Sequence, residues 1–88
     1  MLQLIQESRF EKDIVKANKR GKDMKKLLNI VTLLLQEKSL PVRNRNHKLV
    51  GDYKDCWECH IEPDWLLIYK KTSVSIVLSR TGTHSDLF

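Results

Sequence analysis

The spacing of apolar residues changes midway along this chain, from a helical period to a strand period. From Met24 to Leu35 the apolar positions are Met24, Leu27, Leu28, Val31, Leu34 and Leu35, widened by Ile30 and Leu33. Three- and four-residue steps of this kind predict an amphipathic helix with one stripe on a core. Asp23 stands where a cap is expected, and Pro41 ends any continuation. An earlier helix is predicted from Arg9 to Lys19, with Phe10, Ile14 and Ala17 inward and Lys12, Lys16, Lys19 and Arg20 on its other sides. Ser8-Arg9-Phe10-Glu11 fits a capping box at its start, and Gly21 fits a left-handed terminator. The heptads do not persist, so a helix hairpin on a sheet is favoured over a coiled coil.

Elsewhere the period is two. Leu2 to Gln6 reads as a short strand, with Leu2 and Leu4 on one face and Ile5 on the other. Val42 to Asp52 reads as a polar loop carrying Arg43, Arg45, His47 and Lys48. Tyr53 to Ile61 then alternates. Tyr53, Asp55, Trp57, Cys59 and Ile61 fall on one face, and Lys54, Cys56, Glu58 and His60 on the other. Glu62-Pro63-Asp64 is a tight connection, because Pro63 presets a turn. Trp65 to Tyr69 is apolar on both faces, as a central strand is. After a turn at Lys71-Thr72-Ser73, Val74 to Arg80 is a last strand, with Val74, Ile76 and Leu78 opposite Val77. The order is β-α-α-β-β-β: an α+β fold in which the helix pair covers one face of an antiparallel sheet.

Size and charge narrow the reading. Eighty-eight residues, 41% hydrophobic and 31% charged, make one domain over 1–88 that has enough apolar material to fold. A net charge of +5 suits a polyanion or an acidic protein partner, although it also serves plain solubility. The N-terminus has no secretory pattern and no stretch is long enough to span a bilayer, so a cytoplasmic protein with reduced Cys56 and Cys59 is expected.

Cys56-Trp57-Glu58-Cys59-His60 matches the c-type haem string C-x-x-C-H. On a strand, residues three apart face opposite ways, so the two thiols do not grip one ligand. The same geometry opposes a zinc site. No cofactor and no metal are expected, and Cys59 reads as a small buried hydrophobe.

All three histidines, His47, His60 and His84, lie at predicted strand edges among polar residues. RNA can be cleaved without metal when a base takes a 2′-hydroxyl proton and an acid protonates the leaving 5′-oxygen. Histidine suits both roles, since its unperturbed pKa lies near 6.5. Arg80 offers a planar fork for phosphate, and Glu58 or Asp64 can orient an imidazole. His60 is favoured because Glu58 shares its strand face. Arg45 and Lys48 are candidate phosphate contacts in the loop. Trp65 and Tyr69 read as core, and Phe88, after polar His84-Ser85-Asp86, as a packing plug or a base-stacking ring.

Three blocks then match a known family: His47-Lys48-Leu49 with Gly51; Glu58-Cys59-His60-Ile61-Glu62-Pro63-Asp64-Trp65-Leu66-Leu67-Ile68-Tyr69; and Arg80-Thr81-Gly82-Thr83-His84-Ser85-Asp86-Leu87-Phe88. The chain closely resembles the YafQ family of bacterial toxins, within the RelE/ParE superfamily. The resemblance implies a microbial-ribonuclease-like fold and a metal-independent endoribonuclease that cuts mRNA, typically in the ribosomal A site. It implies inhibition by a cognate antitoxin. It places functional positions at His47, His60, Asp64, Arg80, His84 and Phe88, with Glu58 where the family usually carries Asp. On this basis His60, with Asp64 nearby, is expected as general base and His84 as general acid. His47 is expected to contact the scissile phosphate or share proton transfer, Arg80 to steady the transition state, and Phe88 to stack on a base. Two rivals make different predictions. A ParE-like gyrase poison has no need of three histidines around a phosphate. A non-catalytic basic module binds RNA or an acidic protein without yielding a 2′,3′-cyclic phosphate end.

Overall fold

The computed structural model describes residues 1–53 and 55–88, and at Asp52 the backbone alone. Lys54, assigned above to one strand face, lies outside the described residues. The elements run β1 (Gln3–Gln6), α1 (Ser8–Lys19), α2 (Met24–Leu35), β2 (His47–Lys48), β3 (Trp57–Glu62), β4 (Trp65–Lys71), β5 (Ser75–Gly82) and α3 (His84–Leu87). The five strands form one sheet in the order β1-β5-β4-β3-β2.

The expected α+β architecture is present, with one change in the sheet. β2 to β5 are antiparallel neighbours, but β1 pairs with β5 in parallel, from Gln3 beside Ser75 to Gln6 beside Leu78. The sheet is therefore mixed, because the two helices carry the chain from β1 to the far side before it returns through the meander. β2 lies within the segment expected to be loop, and α3 was not anticipated.

The helix hairpin packs on one sheet face. Phe10, Ala17, Leu27, Ile30, Val31 and Leu34 meet Cys59, Ile61, Trp65, Leu67, Tyr69, Ile76 and Leu78 there. Full burial of one such leucine stabilises by roughly 1.5–3 kcal/mol, so α2 is the main apolar anchor. Leu28, assigned to its inward stripe, is 64% exposed at the margin of that stripe. Asp23 does cap α2, accepting the Lys25 N–H. The capping box at Ser8 does not form: Glu7 is the cap residue of α1 and makes no side-chain bond. Gly21 ends α1 as expected. At φ +80° it lets its own N–H reach the Asn18 carbonyl and the Lys22 N–H reach Ala17.

The opposite sheet face carries a smaller cluster of Cys56, Leu66, Ile68 and Leu87, with Leu49 and Tyr53 against it. Cys56 and Cys59 thus lie in different clusters, as period-two geometry requires. Tyr53 was expected beside Trp57 and Cys59. It packs on the other side because β3 begins only at Trp57, after a 3-10 turn at Gly51–Tyr53 and a left-handed Asp55. Val74 is 64% exposed in the turn before β5, and β4 runs on past Tyr69 to Lys71, the first residue of the expected turn.

A β-bulge matters for the site. Ile68 faces Arg80 across β4 and β5, whereas Tyr69 faces Leu78. Ser79 is the extra residue between them. By simple alternation Arg80 would share the helix-packed face of Ile76 and Leu78. The bulge turns it to the face of Ile68 and Glu58, which are themselves partners.

Candidate active site

Two short pieces of backbone bring His47 to His60. Arg45, in the left-handed region at φ 49°, turns the chain after the 3-10 turn Val42–Asn44. β2 then sets His47 directly across from Glu58. The His47 Nδ1–H donates to the Arg45 carbonyl at 2.7 Å, which fixes the tautomer and leaves Nε2 3.4 Å from Glu58 Oε1. His60 lies two residues beyond Glu58 on the same face. Its Nδ1–H donates to the Pro63 carbonyl at 3.3 Å, and its Nε2 stands 3.6 Å from the same Oε1. Neither approach is a hydrogen bond: with the proton on Nδ1, each neutral ring turns an unprotonated Nε2 toward Glu58, and the carboxylate favours the state in which that nitrogen has gained a proton. Glu58 is buried, and so is most of His60; His47 is exposed.

His84 enters from the C-terminal end. It is the first residue of α3, whose capping box is made by Thr83 and Asp86. Asp64, in the β3–β4 turn, accepts both the His84 backbone N–H at 2.9 Å and the Nδ1–H at 2.6 Å. These two bonds hold the Asp64 carboxyl below its usual range, the backbone donor first. The His84 and His60 rings are 5.7 Å apart between centroids. Three imidazoles and two carboxylates therefore form one continuous run: His47, Glu58, His60, His84, Asp64. One pairing differs from expectation. Asp64 hydrogen-bonds His84 and not His60, while Glu58 lies between His60 and His47.

The remaining candidates divide. Arg80 stands in the cross-sheet row of His47, Glu58 and Ile68. Its Nε and Nη2 donate to Asp13 at 2.7 and 3.2 Å, and Asp13 also accepts the Thr81 N–H at 3.1 Å. Past Leu78 no strand among the described residues continues β1 along that side of β5, and Asp13 of α1 takes the Thr81 N–H there. Lys48 points away from His47: it pairs across from Trp57, and its ammonium lies 5.5 Å from that ring's centroid. Alternation on β2 takes it off the histidine face. Arg45 and Phe88 are exposed, and the Phe88 and Tyr53 rings meet edge-to-face with centroids 5.5 Å apart. Trp65 and Tyr69 are core, as expected. Trp65 donates to Thr81 Oγ1 and Tyr69 donates to Asn46 Oδ1.

Two further residues serve the site without having been singled out. Buried Asn44 donates to the His60 carbonyl at 2.7 Å and fixes the edge of β3. Asp13 holds Arg80. Neither carries a local sequence signal, because each acts on a residue far away in the chain. Among the described residues, no group of three or more His, Cys, Asp or Glu is arranged to hold a metal ion. Burial pushes the Cys59 thiol up to about 12, so it stays protonated and inert.

A family model described as a bacterial toxin of type II toxin–antitoxin systems, YafQ, matches residues 2–88. The mRNA interferase toxin YafQ of Escherichia coli K12 is 45% identical over 80 residues, which is 90% of this chain and 87% of that protein. In the crystal structure of the E. coli DinJ–YafQ toxin–antitoxin complex the matched chain is 41% identical. The match covers 99% of this chain and 97% of that one, with a TM-score of 0.92. The crystal structure of a metal-bound toxin from Helicobacter pylori is 38% identical, covers 100% of both chains and has a TM-score of 0.94. With this agreement along the whole length, the chain belongs to the YafQ family of bacterial toxins of type II toxin–antitoxin systems.

Proposed function

We propose that this chain, acting as one domain over residues 1–88, is an mRNA interferase. It is an endoribonuclease that cuts mRNA in the ribosomal A site by metal-independent acid–base catalysis and so halts translation. The observation that carries this reading is the run of three imidazoles braced by two carboxylates. His60 Nε2, beside Glu58, takes the 2′-hydroxyl proton. The freed oxygen attacks the adjacent phosphorus, and the bond to the 5′-oxygen breaks. His84, whose Nδ1–H is committed to Asp64, presents Nε2 to protonate that oxygen. The products are a 2′,3′-cyclic phosphate and a 5′-hydroxyl. His47 contacts the scissile phosphate or shares in proton transfer. Arg80, held by Asp13, steadies the charge on the phosphoryl oxygens. Phe88 stacks on a base, and exposed Arg45 contacts the backbone. Lys48 is left out of this set, since it lies over Trp57.

The DinJ–YafQ complex supports a cognate antitoxin as the inhibiting partner. An acidic or amphipathic segment suits Lys12, Lys16, Lys19 and the basic 43–48 loop. A cytoplasmic site of action fits an mRNA target. No helix among the described residues is long and apolar enough to cross a membrane.

Digestion of a defined mRNA, with and without ribosomes and with ends mapped, tests the reading. His60→Ala and His84→Ala should each lower the cleavage rate about 10²–10⁴-fold while the protein stays folded. Chelator should leave wild-type cleavage intact, and the metal-bound Helicobacter relative makes that arm necessary. Undiminished cleavage by either variant would remove its assigned role. Loss of cleavage with chelator would replace the metal-free route. Inhibition of DNA supercoiling without RNA cleavage would instead support gyrase poisoning.

A further inference from the structure

The C-terminal end of α1 lies against the start of α3, and Asp86 is the contact. Its carboxylate accepts from Arg20 Nη1 at 2.6 Å and Nη2 at 3.3 Å, and from Lys16 Nζ at 3.3 Å. It also accepts the Thr83 N–H at 2.9 Å, while Thr83 Oγ1 accepts the Asp86 N–H at 3.1 Å. The close approach depends on Gly82, where a Cβ would stand 2.9 Å from the Asp86 Cβ and 3.0 Å from its Oδ2. α3 has four residues, too few to keep their shape by backbone bonds alone. Its placement needs outside ties. Leu87 supplies an apolar one, Asp64 takes the His84 N–H, the Tyr53 hydroxyl donates to the Leu87 carbonyl at 3.3 Å, and Asp86 supplies the tie to α1.

We propose that Asp86, clamped by Arg20 and Lys16, is the positioning residue for His84. It pins α3 to α1 and so sets the imidazole between Asp64 and His60. Among the described residues Asp86 has no hydrogen bond or ion pair with a histidine, and it acts through the helix it holds. A partly exposed ion pair adds little to global stability. A forked arginine fixes direction as well as distance, and direction is what His84 requires. Its reach to His60 depends on where a short terminal helix comes to rest. A misplacement of about 1 Å costs on the order of a hundredfold in rate. The clamp rests on the proposed catalysis by His84 for its kinetic consequence alone. Its structural consequence is independent of that reading.

The test uses Asp86→Asn and Arg20→Gln, the second at an exposed side chain that leaves the core untouched, with Arg20→Lys as the conservative comparison. Two quantities are read: kcat and KM on an RNA cut by the wild type, and the Asp64 carboxyl titration by NMR. Asp64 is held low by His84, with Lys22 a smaller influence, so it reports where His84 sits in the folded protein. In the first two variants kcat should fall about ten- to a hundredfold at unchanged KM, and Asp64 should titrate closer to an ordinary aspartate. Arg20→Lys should keep most of both. An Asp64 titration like the wild type in both folded variants overturns the clamp, whatever the rate does. If His84→Ala abolishes cleavage, an unchanged kcat in both variants overturns it too. A shifted Asp64 together with undiminished cleavage by His84→Ala leaves the clamp standing and removes the catalytic reading.

Discussion

Glu58 is the side chain that two imidazoles approach, His47 and His60. Alternation along the strand was enough to pair it with His60, because residues two apart share a face. The third member, His47, reaches the same carboxylate oxygen from eleven positions away, and only the β2–β3 register makes that contact. Asp64 shows the limit of local reasoning. It is four residues from His60 in sequence, yet its carboxylate is taken by His84, twenty residues on. Arg80 repeats the lesson. Its fork was legible as a phosphate-binding group, but not its bond to Asp13 or its sheet face. Ser79, the residue that turns Arg80, is itself costly. Its hydroxyl is buried with no hydrogen-bond partner among the described residues. Removing an unsatisfied buried donor recovers its desolvation penalty, so Ser79→Ala should gain about 1 kcal/mol. Chemical denaturation measures this, and a drop in stability would show that the hydroxyl is satisfied.

At the scale of elements, the helix hairpin was readable because its signals are local. Apolar spacing, the Asp23 cap and the Gly21 terminator all act within a few residues of themselves. Gly21 has φ +80°, and a Cβ there would meet nothing within 4 Å. The cost of Gly21→Ala is therefore conformational, roughly 1 kcal/mol. Thermal unfolding should show that loss, with RNA cleavage by the folded protein unaltered; a neutral result would mean the turn relaxes to another conformation. Misreadings arose where an element is short or borrows its shape. β2 has two residues and exists because β3 pairs with it. α3 has four, and its capping box, Thr83 with Asp86, uses Asp in place of Glu or Gln. The better-matching string, Ser8 to Glu11, makes no cap, because Ser8 is already inside the helix. β1 alternates like any strand, and alternation says nothing of parallel or antiparallel pairing.

Across the whole molecule, carboxylates tie distant segments together, and three of them share a lowered proton affinity. Glu62 joins β3 to Lys26 and Lys22, Asp64 joins the β3–β4 turn to α3, and Asp86 joins α3 to α1. All three are held below their usual range: Glu62 first by Lys26, Asp64 by the His84 N–H, Asp86 by Arg20. A carboxyl with a lowered folded pKa binds its proton more weakly in the folded state than in the unfolded one. Its stabilising effect is then complete above the unfolded value, near 4, and fades as pH falls below that. The unfolding midpoint should decline as pH drops through 4, and less steeply in Asp86→Asn than in the wild type. Equal slopes would show that Asp86 has no part in the acid response. Taken alone, the order of residues determined the helix pair, the faces of β3 from Trp57 to Ile61 and the separation of Cys56 from Cys59. Those follow from periods that a chain of L-residues imposes on its neighbours. Only the tertiary structure decided which carboxylate serves which imidazole, which face Arg80 joins and what holds His84 in place. Those contacts span tens of residues, and strand register, one bulge and a short C-terminal helix set them, none of which a local period encodes.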